Sequence, residues 1–154
     1  MIDATAKQVN VESSLKKFFV DGLHTTEGIE LVFDRSLSDP PIVDNQAVTK
    51  WVTVSFGNSE YDDLSFLTFD LFCCTRKDPE GYKLAQLRDL VMGYLTDADG
   101  TVTNMRVVPF YDATSWVVIG GIVISQIQET GNIVAVDGSK YKIITCTCHF
   151  ASKV

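Results

Sequence analysis

Basic runs are almost missing from this sequence: Lys16-Lys17 and Arg76-Lys77 are the only adjacent basic pairs, in a chain of formal net charge −7. A protein that grips nucleic acid needs a stripe of Lys and Arg to displace condensed counterions. The scarcity argues against that class, while an acidic surface is compatible with lying beside DNA without holding it. Histidine is nearly absent too. His24 and His149 leave little for acid–base chemistry near neutral pH. No apolar run approaches the ~20 residues of a membrane span; the longest is Trp116–Ile124. Charge interrupts the first 22 residues, so no secretory signal is expected. The chain is therefore expected in the cytoplasm with its four cysteines reduced. Four prolines and ten glycines leave no low-complexity linker, and there is no internal repeat. A nucleophile-elbow serine, a Walker loop and a dinucleotide fingerprint are also missing.

What is present reads as a single α+β domain over residues 1–154, with 45% hydrophobic and 21% charged residues. A helix is expected from about Asp3 to Asp21. Val11, Leu15, Phe18 and Gly22 share its face, Phe19 flanks it, and Gly22 is placed to end it. Ile29–Phe33 is a short strand. Residues 35–47 are polar and proline-broken, a mobile loop suited to partner contacts. Val48–Gly57 and Leu64–Thr75 read as antiparallel strands. A second helix follows, with Asp78 as N-cap, Pro79 as first helical residue and a stripe of Leu84, Leu87, Val91, Tyr94 and Leu95. Strands are expected over Val102–Tyr111, Trp116–Gln128 and Ile133–Phe150, the last split by Asp137-Gly138. Consecutive strands imply a mostly antiparallel twisted sheet with two main helices packed on one face.

Asp97-Ala98-Asp99-Gly100-Thr101 matches the nucleophile string of haloacid-dehalogenase-like phosphatases. That chemistry needs a strand before the string and an acidic magnesium motif well after it. Here a helical period precedes it and only 53 residues follow Thr101. A helix end running into an Asp-Gly turn is the preferred reading, and the small phosphatase using Asp97 and Asp99 is the least favoured function. As a calcium loop the string fails outright, with Val102 at the glycine position and Val108 at the glutamate position. Cys73 and Cys74 are adjacent and diverge across a strand. Cys146 and Cys148 share one face and read as small buried hydrophobes rather than zinc ligands. No metal, no cofactor and no catalytic residue is expected. Gly120-Gly121 suggests a bulge or a close backbone approach.

The strands look apolar on both faces. Trp116, Val118, Ile122 and Ile124 alternate with Val117, Ile119 and Val123; Phe66 and Phe72 oppose Leu67, Phe69 and Leu71. Two helices cannot cover both faces, so the sheet folds on itself or a neighbouring subunit covers it.

Taken together, the N-terminal helix, Trp51-Val52-Thr53-Val54, Phe72-Cys73-Cys74-Thr75-Arg76-Lys77-Asp78, the helix with Leu84, Leu87, Asp89, Val91 and Leu95, and the closing strands to His149-Phe150 form a pattern. It resembles the tail terminator (tail completion) proteins of long-tailed bacteriophages over nearly the whole chain. The resemblance implies a structural virion protein of the tail or neck, not an enzyme, made in the host cytoplasm. It would form a ring, usually of six copies, that caps the tail tube, ends its polymerisation and meets the head connector. The implied partners are copies of itself, the tail tube protein and the head–tail connector protein, with DNA passing unbound and no membrane involved. The alternative within the same class is another head–tail neck or minor capsid component. Candidate assembly-interface residues are Asp39, Pro40 and Asp44 in the long loop, with Arg76, Lys77, Asp112 and Trp116.

Overall fold

In the computed structural model the described residues are 8–34, 40–60, 64–96 and 106–151, Leu64 and Ala151 by backbone alone. The first described element is α1 (Gln8–Phe19), which runs without a break into a π-helical segment, Val20–Thr26; the part of the expected helix before Gln8 lies outside the described residues. Then come β1 (Glu30–Phe33), β2 (Ile42–Val43), β3 (Gln46–Ala47), β4 (Lys50–Glu60), β5 (Leu64–Thr75) and α2 (Tyr82–Leu95). The chain closes with β6 (Val107–Tyr111), β7 (Val118–Glu129), β8 (Ile133–Val134) and β9 (Lys140–Ala151). The main sheet has the order β1-β4-β5-β9-β7-β6, with β8 attached to β9. All its pairings are antiparallel except β1 with β4. The fold is α+β, with both helices on one face.

The helix-covered face follows the period of two along each strand. Val52 and Val54, then Leu67, Phe69, Leu71 and Cys73, then Ile144, Cys146, Cys148 and Phe150 all point inward. They meet Val11, Leu15, Phe19 and Leu23 from the first helix and Leu84, Leu87, Val91 and Leu95 from α2. Each such burial contributes roughly 1.5–3 kcal/mol.

The first helix departs from expectation at its end. Its buried residues recur every four positions, and four residues of α-helix overshoot a full turn by about 40°. The wider turns of the π-helical segment advance less per residue and return Leu23 to the core face. Gly22 therefore does not terminate the helix; it sits inside it. A Cβ there would lie 2.5 Å from the Tyr94 ring, so glycine serves a close approach to α2. The terminator is Gly28, at φ 71°. Its N–H donates to the His24 carbonyl at 3.0 Å, and the Ile29 N–H donates to the Leu23 carbonyl at 2.8 Å.

The start of α2 also differs. Pro79 lies in a turn ahead of the helix, and Gly81 holds the cap position with φ 75°. Asp78 still supplies the capping atoms from further back. Its buried carboxylate accepts the N–H groups of Lys83 at 3.2 Å and Leu84 at 3.0 Å. Of the expected loop 35–47, residues 35–39 lie outside the described residues. Within Pro40–Ala47, β2 and β3 form a hairpin turning at Asp44 and Asn45, both left-handed (φ 52° and 63°). Such angles belong to a two-residue type I′ turn, which Asn and Asp adopt readily.

The opposite sheet face is banded rather than uniformly apolar. At one end Trp51, Val32 and Cys74 bury one another with Phe72 and Tyr141. Across the middle run Ser55, Asp70, Thr145 and Gln128 in register, and the Thr145 hydroxyl donates to Asp70 at 2.7 Å. At the far end His149 pairs with Phe66 and Val123, and Val123 pairs with Val107. The expected division of β7 fails at a bulge opposite Phe110/Tyr111. The extra residue switches the alternation, so Ile119 packs inward with Ile122 and Ile124 while Val118 faces solvent.

Candidate functional site

The chemistry the cysteines could offer is closed off by burial. All four are free and buried. Cys73 lies on the core face and Cys74 on the other, as their adjacency in β5 requires. Desolvation pushes the thiols of Cys73, Cys74 and Cys148 up to about 12, and Cys146 upward as well. Such thiols are poor nucleophiles. Among the described residues no three His, Cys, Asp or Glu side chains could hold a metal ion together. Asp97 and Asp99 lie outside the described residues, and so does Asp39.

The remaining candidate interface residues fall into two groups. The first surrounds the β2–β3 hairpin. Arg76 and Lys77 line a cleft of about 450 Å³ with Gln46, Ala47, Val48 and Thr49. The Arg76 N–H donates to the Thr49 carbonyl at 2.7 Å, tying the β5–α2 turn to the strand that follows the hairpin. Pro40 and Asp44 belong to the same region, Asp44 at the hairpin turn. Beside it a second groove of about 540 Å³ opens between α2 and the start of β4, with Lys50 and Lys83 among its lining. Lys50 and Lys83 were missed in the sequence because each is an isolated lysine. Only the pairing of Lys50 with Thr75, next to α2, brings them to one groove.

The second group is the turn joining β6 to β7. The Asp112 carboxylate accepts the N–H groups of Thr114 at 2.9 Å and Ser115 at 3.1 Å. The Asp112 N–H donates to the Val117 carbonyl at 3.0 Å, and the Trp116 N–H donates to the Asp112 carbonyl at 2.8 Å. This closure holds Trp116 at φ 57°, a region that costs an ordinary residue about 1–2 kcal/mol. The result is an exposed apolar tip: Trp116 is 48%, Val117 60% and Val118 58% exposed. Trp116 meets Tyr111 edge to face, with centroids 6.0 Å apart. The turn is anchored from α1, where Asn10 accepts the Ala113 N–H and the Ser14 hydroxyl accepts the Tyr111 N–H. These bonds explain two buried polar side chains on an otherwise apolar helix face.

The two groups sit at opposite ends. β9 pairs Lys140 with Thr75 at the first end and Phe150 with Ile122 at the second. Its twelve residues span roughly 40 Å. The candidate residues are thus two surfaces rather than one site.

A solved structure has this fold. It matches over 97% of this chain and 99% of its own, with a TM-score of 0.63 and 9% identity. At that identity the likeness is one of fold alone. No family model and no curated protein matches the sequence. No described helix is long and apolar enough to cross a membrane.

Proposed function

We propose that this chain is a structural assembly subunit, and specifically the tail terminator of a long-tailed bacteriophage. In this reading copies of the chain close into a ring, of six by the family resemblance. The ring caps the tail tube, stops its growth and presents a surface to the head connector. The observation that carries the assembly reading is the tip at Trp116–Val118. It is apolar, exposed and held in a strained turn, which is costly unless something covers it. The tail position rests on the sequence resemblance. A net charge of −7 keeps a free subunit soluble and suits a bore through which DNA slides without sticking.

The test is electron microscopy of phage assembled with and without the protein. Omission should give headless tails of uncontrolled length, and labelled protein should lie at the head-proximal end. Normal, head-joined tails made without it would refute the tail role.

A further inference from the structure

Two buried polar groups on the outer sheet face have no hydrogen-bond partner among the described residues: the Trp51 indole N–H and the Thr53 hydroxyl. Both residues are 1% exposed and stand two apart in β4, so they share a face. Trp51 lies in the small apolar cluster with Val32 and Cys74, and Thr53 pairs with Val32 and Phe72 beside it. Burying such a group without a partner costs its desolvation, which contact with water would return. Phe72 and Tyr141 border the cluster from within the sheet, whereas Val48, which also packs on it, belongs to no strand. Val48 ends a segment that is closed on itself. Its N–H donates to the Pro41 carbonyl at 3.0 Å, and between them β2 pairs with β3. Residues 42–47 are exposed, Ile42 at 73%. Open clefts flank the stem on both sides, about 450 Å³ toward Arg76 and Lys77 and about 370 Å³ toward Gly28 and Glu30. A segment with so little buried apolar contact opens at a lower free energy than the strands beneath it.

We propose that residues 41–48 form a flap that opens ahead of the rest of the molecule and admits water to Trp51 and Thr53. The closed position carries two unpaired polar groups, and the open one satisfies both. The flap turns just before Thr49, whose carbonyl accepts the Arg76 N–H and is thereby fixed to the body. Its position sets the exposure of Trp51, Val32 and Cys74. The device belongs to the isolated subunit and does not depend on the assembly reading.

Hydrogen exchange of the Trp51 indole N–H, followed by NMR on the free subunit, tests it; a Trp116→Phe variant assigns the two indole signals. The indole should be at least about ten-fold less protected than the Val52 and Val54 amides, and insensitive to low urea. Gln46→Cys and Lys77→Cys, which line one cleft, can be bridged by a short bismaleimide while the four native thiols stay buried. The bridge should raise indole protection about ten-fold and leave the two amides unchanged. Thr53→Val removes one unpaired group from the closed state and should by itself raise that protection about three-fold or more. An indole N–H as protected as the two amides would overturn the proposal. So would protection that neither the bridge nor Thr53→Val increases, or a crystal structure with an ordered water on the indole N–H beneath a closed flap.

Discussion

At the scale of single residues, two glycines in helices make opposite predictions. Glycine inside a helix normally costs up to about 1 kcal/mol relative to alanine. Gly93 of α2 has open space around its missing Cβ, so Gly93→Ala should raise stability by roughly 0.5–1 kcal/mol. Gly22→Ala should instead lower it by about 1–3 kcal/mol, because the Tyr94 ring must move. That movement also disturbs the bond from the Tyr94 hydroxyl to Glu27 at 2.9 Å. Urea unfolding of both, and of Gly22→Ala in a Tyr94→Ala background where the penalty should vanish, checks the assignment. Asp78 makes a pH prediction. Burial works to raise its carboxyl pKa, but the bonds from Leu84, Lys83 and Thr75, with the Lys140 charge, outweigh burial and hold it below the usual range. A carboxylate depressed by folding adds stability above its unfolded value near ~3.9, and this is lost as pH falls through the folded value. Asp78→Ala should therefore cost about 1 kcal/mol at pH 7 and much less at pH 2. Equal losses at both pH values would show that the cap acts through packing alone.

Between elements, one ion pair ties α2 to β7. The Arg88 guanidinium donates to both Glu129 oxygens, at 2.6 and 2.7 Å. That bond is the main cause holding the Glu129 carboxyl below its ordinary range, against the opposing effect of burial. The sign is the same as for Asp78: the stabilisation is full above the unfolded value of ~4.3 and is lost as pH falls through the folded one. Arg88→Ala should cost about 1 kcal/mol at neutral pH, since both side chains are partly exposed. The difference from wild type should shrink below pH 3. An unchanged difference in acid would rule out the ion pair as its source. Sequence periodicity located both helices and most strands, because a four-residue recurrence and a two-residue alternation are local properties. It could not foresee the π-helical turns after Phe19 or the switch of Ile119 to the core. A strict four-residue spacing is a helix either way, and a bulge is decided by the strand on the other side.

For the whole molecule, the free subunit should be monomeric or weakly associated at low concentration and self-associate as concentration rises, read by sedimentation. Trp116→Gly separates stability from assembly. Glycine relieves the left-handed backbone but removes the contact with Tyr111. Stability should stay level or rise by up to about 1 kcal/mol, while self-association is lost. A variant that still associates at wild-type concentrations would remove Trp116 from the interface. The α+β class, the inward faces of β5 and β9 and the divergence of Cys73 from Cys74 are legible along the chain, because they follow from backbone period. The distance of Arg76 and Lys77 from Asp112 and Trp116, and the groove shared by Lys50 and Lys83, emerge with the assembled sheet. Those relations depend on strand order, on the late insertion of β9 between β5 and β7, and no local pattern encodes that order.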